Sequence, residues 1–75
     1  MTQCEQVLYH LRKIGPITAR EAMTEYGIMR LAARIKDLRD RGHRIRTDMV
    51  EVPTRSGDTT DVAEYRLYGQ QQLSL

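Results

Sequence analysis

Apolar side chains recur at helical spacing over the first forty positions and alternate over much of the remainder. Cys4, Val7, Leu8, Leu11 and Ile14 share one face of a helix predicted over residues 3 to 14, with Gln3, Gln6, Arg12 and Lys13 off it. Gly15-Pro16 ends this helix, because glycine supplies the C-terminal turn and proline cannot continue the hydrogen-bond ladder. Ile17 stands alone between those breakers and the next cap, which suits a short strand paired with a later hairpin. Thr18-Ala19-Arg20-Glu21 reads as a capping box, in which hydroxyl and carboxylate each satisfy the other residue's backbone N–H. A short second helix runs from there to about Glu25, with a small-residue inner face (Ala19, Ala22, Met23, Tyr26) that lets another helix cross closely. Gly27 stops it by permitting a left-handed turn. Ile28 restarts the pattern at once: Ile28, Leu31, Ile35 and Leu38 predict a third helix from Ile28 to Arg41, closed by Gly42-His43.

Beyond Gly42 the period changes. Arg44 to Val52 is rich in β-formers, and Val62 to Tyr68 alternates cleanly, with Ala63, Tyr65 and Leu67 on one side and Glu64, Arg66 and Tyr68 on the other. In the first run Ile45 and Met49 share parity but Val50 and Val52 do not, which leaves a bulge or a change of face near Asp48 open. Pro53 to Asp61, full of Ser, Thr, Asp and Gly, reads as a long hairpin loop. Gly69 ends the second strand, and residues 69–75 read as a frayed tail. The expected organisation is therefore one domain over 3–68 and a C-terminal tail over 69–75. Two helices joined by a short glycine-containing turn are a helix-turn-helix candidate, with a plain helical hairpin as the alternative.

Seventy-five residues make one domain, close to the lower size limit for folding without disulfides or metal. The single cysteine excludes an internal disulfide, and at its spacing from Leu8 and Leu11 Cys4 reads as a half-buried small hydrophobe. No apolar run is long enough to span a membrane and the N-terminus lacks a signal-peptide core, so the expectation is a soluble intracellular protein with no membrane partner.

The distribution of charge changes the picture more than its total of +2. Residues 30 to 46 hold seven Arg and Lys against two Asp, a net of +5, while residues 47 to 75 carry a net of −3. Such a concentration on one helix and the turn after it is the footprint expected for an anionic partner. At 100° per residue, Arg30, Arg34 and Arg41 fall within about 40° of each other on a flank of the third helix's apolar face. Met29, Ala33, Lys36 and Asp37 point more directly away from the core. Arginine forks beside a small alanine surface suit a DNA groove, although any surface helix carries Arg and Lys on its wet face.

Catalysis has little support. Carboxylates are dispersed, there is no nucleophile–base pair and no phosphate-binding glycine loop, and His10, His43 and Cys4 lack the spacing of a metal set. Neither an enzyme, a cofactor nor a metal is expected. The four tyrosines read as core and hairpin packing, Tyr65 as a buried one.

The order helix, short strand, helix, turn, helix, hairpin is that of an α+β winged helix-turn-helix: three helices plus a short β-hairpin wing, with a third short strand at Ile17. The run Arg30-Leu31-Ala32-Ala33-Arg34-Ile35-Lys36-Asp37-Leu38-Arg39-Asp40-Arg41-Gly42-His43-Arg44-Ile45, with Ile17-Thr18 before it and Tyr65-Arg66-Leu67 after it, resembles the small winged-helix proteins of phages and prophages. The resemblance covers about residues 5 to 68 and implies double-stranded DNA binding, with the third helix in the major groove and the hairpin as a wing beside the backbone. Carried over, the groove-facing set is Met29, Arg30, Ala33, Arg34 and Asp37, with Lys36 nearby. Arg30 and Arg34 are the expected base readers, and Arg41, Arg44 and Arg46 the phosphate positioners where the helix exits, with His43 beside them.

Thr18 and Arg20 can meet phosphate at the start of the second helix, although capping alone explains Thr18. His43 is equally explained as a capping or dipole-complementing residue. The stem of Arg39 falls nearer the apolar edge and covers the core. In the wing only Arg55 stands against Asp58 and Asp61, which departs from a phosphate-binding loop.

Two functions are expected from these features. The first is a sequence-specific, phage-like transcription regulator or excisionase-like architectural factor, acting in the host cytoplasm at the nucleoid. The second is a winged-helix module that captures or inhibits a host or phage protein, which the acidic wing and small net charge favour. A homodimer fits the first; the exposed side of the first helix or the Gln70 to Leu75 tail could supply its surface, but neither has a strong apolar stripe.

Overall fold

The computed structural model describes residues 1–68; the expected frayed tail lies outside the described residues. Three helices pack against a three-stranded antiparallel sheet in the order α1 (Gln3–Lys13), β1 (Ile17–Thr18), α2 (Ala19–Tyr26), α3 (Leu31–Asp40), β2 (Ile45–Pro53), β3 (Thr59–Leu67). This is the expected α+β winged-helix architecture, with the strand at Ile17 present. In the sheet β3 lies between β1 and β2, with Ile17 opposite Tyr65 and Ile45 opposite Leu67.

Both of the first two helices begin with a reciprocal cap. The Thr2 hydroxyl accepts from the Glu5 N–H at 3.1 Å while the Glu5 carboxylate accepts from the Thr2 N–H at 2.7 Å. Thr18 and Glu21 repeat the arrangement at 3.3 and 3.0 Å. α1 buries Cys4, Val7 and Leu11, but Ile14 is not part of that face: it lies past the last helical turn and is 65 % exposed. His10 is buried instead. Its Nε2 meets the Pro16 carbonyl at 3.2 Å, which only a ring N–H can satisfy, and in the neutral ring Nδ1 then accepts from the Tyr26 hydroxyl at 2.8 Å. One imidazole thus joins α1, the turn before β1, and α2.

The third helix is shorter than its apolar pattern. Gly27 takes the left-handed conformation (φ 69°) and the Ile28 N–H returns to the Ala22 carbonyl at 3.1 Å, so Ile28 completes the cap of α2. Its side chain is buried from within the turn, and helical geometry begins only at Leu31. At the other end the N–H groups of Gly42 and His43 return to the carbonyls of Arg39 and Leu38, with Gly42 at φ 100°. Leu31, Ile35 and Leu38 join Val7, Leu11, Ile17, Ala22, Ile28 and Ile45 in one core, against which Leu8, Tyr26, Tyr65 and Leu67 pack half-buried.

The hairpin is longer, and its loop shorter, than the composition of 53 to 61 suggests. Pairing runs without a break from Ile45·Leu67 to Pro53·Thr59, so there is no bulge. The covered face does change near Asp48, from that of the buried Ile45 to the opposite one, where Asp48, Val50 and Val52 are half-buried. The Tyr68 N–H bonds the Arg44 carbonyl at 3.1 Å, and alternation then turns the amides of even-numbered β2 residues toward β3. Pro53 falls in the outward set, so its missing N–H interrupts no ladder bond. The Thr54 N–H donates to Asp58 at 2.8 Å, leaving Arg55-Ser56-Gly57 as a three-residue loop with Gly57 at φ 94°.

Candidate nucleic-acid interface

α3 offers three distinct sides to its surroundings. Around the arc opposite Leu31, Ile35 and Leu38 lie Ala32, Lys36 and Asp40, all exposed, with Ala33 half-buried beside them. Lys36 and Asp40 pair across one turn at 3.1 Å, both well exposed. Met29 (76 % exposed) and Arg30 extend this surface from the preceding turn. Arg30 has backbone angles of φ −125° and ψ 67°, so it stands at the cap and not on the helical wheel.

The second side faces α1. Arg34 Nη1 donates to the Gln3 side-chain oxygen at 3.2 Å, and Arg34 Nε lies 3.2 Å from Asp37 Oδ2. The thiol of buried Cys4 stands 3.8 Å from the same Asp37 oxygen. Arg41, the C-cap, lies on this flank as well, where its charge helps hold the Glu5 carboxyl below its ordinary range, after the larger effect of the Thr2 N–H. The expected stripe of Arg30, Arg34 and Arg41 is therefore not one surface: helical geometry covers only Arg34 of the three, and Arg34 bonds α1.

The third side faces the hairpin. Arg39 sends Nε and Nη2 to the Ile45 carbonyl at 3.0 and 2.7 Å, and Nη2 to the Thr47 hydroxyl at 3.0 Å. That carbonyl belongs to the outward set of β2, so the guanidinium fork takes the place of a further strand at the root of the sheet. Helical spacing assigns Arg39 only a covering role. Its head group has a specific partner, which spacing has no means of revealing because that partner is a backbone atom.

The remaining predicted residues separate in the same way. Arg46 lies on the sheet face turned away from Ile45 and Leu67, in a network where Asp48 meets both Arg46 and Arg66 at 3.2 Å and Arg66 also meets Glu64. His43 caps α3 through its backbone, and the exposed Arg44 adjoins it. Thr18 is occupied as a cap. Arg20 and Arg55 are distant in sequence but line one groove of about 740 Å³ between the start of α2, the start of α3 and the hairpin. Its floor is apolar, formed by Leu31, Ala32, Val62, Ala63 and Tyr65. Among the described residues neither arginine has an ion-pair partner. Ala32, absent from the predicted set, lines this groove, and Ala33 does not.

The groove is thus concave, small-residue-lined and flanked by these two cations, with Met29, Arg30 and Lys36 on the adjoining helix surface. The hairpin beyond it is acidic, Glu51, Asp58 and Asp61 being exposed against Arg55. Among the described residues no group of His, Cys, Asp and Glu is arranged to hold a metal, and no helix is long and apolar enough to cross a membrane.

Compared with models of protein families, residues 2–69 match a winged helix-turn-helix domain. Comparison with curated proteins and with solved structures gives no significant match.

Proposed function

Because the chain belongs to the winged helix-turn-helix family, whose members are typically non-enzymatic DNA-binding modules, we propose that it binds double-stranded DNA sequence-specifically, with α3 in the major groove. The observation that carries this reading is that Arg20 and Arg55 line one concave, largely apolar groove beside Leu31 and Ala32 at the start of α3, while Arg30 and Lys36 are exposed on α3 and the turn before it. Arg34, Arg39 and Arg46 are occupied with other protein groups, whereas, among the described residues, Lys36 pairs only with the well-exposed Asp40 one turn along. Arg30 and Lys36 are the base-facing pair, with Ala32 and Ala33 permitting close approach and Met29 beside them. Arg20 and Arg55 take phosphates on either side of the groove, and Arg44 takes one at the exit of α3. Arg34 and Asp37 are positioning residues that hold α1 on α3, and Arg46 belongs to the sheet. The role is that of a phage-like transcription regulator or an excisionase-like architectural factor, working in the cytoplasm at the nucleoid.

Fluorescence anisotropy with a random-sequence duplex pool tests this directly. Affinity should fall steeply with salt, with a log–log slope reflecting about 4–6 released counterions per chain. A flat salt response, or no binding at low salt, overturns it. The acidic hairpin favours a second reading, capture of a basic surface on a host or phage protein. In that case DNA binding would be weak and insensitive to Arg30.

A further inference from the structure

The exposed side of α1 carries a second stripe that the core does not use. At 100° per residue Glu5, Leu8, Tyr9 and Arg12 fall within an arc of about 100°. With Met1 and Lys13 they line a shallow depression of about 370 Å³. Met1 is 81 % and Tyr9 47 % exposed, and Leu8 is only half covered by the core. Arg12 and Lys13 have no ion-pair partner among the described residues. Glu5 bonds the Thr2 N–H through Oε1, and among the described residues it has no ion-pair partner.

We propose that this face is the contact surface for a second copy of the chain, the two α1 helices packing antiparallel about a two-fold axis. The order of residues along the stripe is self-complementary. An axis between positions 8 and 9 sets Leu8 against the partner's Tyr9 and Glu5 against the partner's Arg12, and symmetry makes each contact twice. The apolar pairs occupy the centre and the ion pairs the rim, the arrangement that excludes water where it matters and fixes register at the edge. A second copy satisfies this order automatically, since an acid toward one end and a base toward the other match the same stripe reversed.

The helix has 11 residues, and a seam of that length covers less than the roughly 1,200–2,000 Å² of standard stable interfaces. Self-association is accordingly weak, in the range of about 10 µM to 1 mM. α3 is tied to α1 through Arg34 and Gln3, so the two copies of α3 share the two-fold, and an inverted repeat is the DNA that would match them.

Sedimentation equilibrium of the full chain without DNA tests the pairing independently of any DNA binding. The expected result is a mass that rises with concentration from 8.7 kDa toward twice that value. Arg12→Glu, which leaves the Thr2–Glu5 cap intact, should weaken association by about tenfold or more through like-charge contact. Mixing Arg12→Glu with Glu5→Arg should restore it, since every rim contact in the mixed pair is again opposite in charge. A chain that stays monomeric throughout the range overturns the proposal. So does an Arg12→Glu variant that associates like the parent, or a mixture that stays monomeric while both variants keep parental helical circular dichroism. If Glu5→Arg does not fold, Arg12→Glu alone decides.

Discussion

Arg30 and Arg34 are four positions apart, yet one stands in solvent ahead of the first turn of α3 and the other spans from Asp37 to Gln3. Their substitutions should separate. Arg30→Ala is expected to reduce affinity for a selected operator by about 1–3 kcal/mol while the thermal midpoint stays unchanged. Arg34→Ala breaks a half-exposed ion pair, a contact of about 0–1 kcal/mol, and should lower the midpoint slightly with a smaller effect on affinity. Anisotropy titrations and thermal scans on both variants check this, and the reverse pattern would return the reading role to Arg34.

Glu5 gives a residue-scale prediction in pH. Its carboxyl is held below the usual range, chiefly by the Thr2 N–H, so the charged form is favoured by folding. Its stabilising effect is present above the unfolded carboxyl pKa and is lost as pH falls through the lower folded value. Protection of the first-turn amides of α1 against exchange should therefore weaken in acid, and in Glu5→Gln that pH dependence should be absent.

Between elements, the joint between α3 and the hairpin matters most. Arg39→Ala removes three hydrogen bonds from a charged donor to Ile45 and Thr47. Such bonds are worth about 1.5–3 kcal/mol when buried, and at this exposed position the expected loss is nearer about 1–2 kcal/mol. Chemical denaturation measures it, and exchange protection should fall first at the root of β2. The elements themselves are largely legible in the sequence: Thr18-x-x-Glu21, Gly27 and Gly42 mark ends by chemistry that acts within a few residues. The features that are not legible depend on competition. Ile28 has the spacing to start α3, but its N–H is claimed by the cap of α2. Thr59, Thr60 and Asp61 have turn composition, yet they extend β3 because β2 offers them a partner. Helical periodicity does not mark His10 for burial, because its partners Tyr26 and Pro16 lie outside its own helix.

At the scale of the whole molecule a core this small leaves little margin. Leu31 is 2 % exposed and joins α3 to the rest of the core. Leu31→Ala should cost about 2–5 kcal/mol through the cavity it leaves, enough to unfold most of the population at ambient temperature, as far-ultraviolet circular dichroism would show. The charge asymmetry is visible along the chain, but its distribution in space is not. Seven cations between 30 and 46 suggest one basic surface. Folding divides them among α1, the hairpin root, the outer sheet face and the solvent, and brings in Arg20 and Arg55 from outside the run.

The Arg39 fork also bears on the entropy of recognition. It couples the helix to the β2–β3 hairpin, across a connection closed by the backbone bonds of Gly42 and His43. In the proposed complex, helix and hairpin would therefore meet a duplex as a caliper whose gape is set beforehand. On the proposed reading, ordering on binding falls chiefly on a few side chains (Arg20, Arg30, Lys36 and Arg55), at about 0.5–1.5 kcal/mol each.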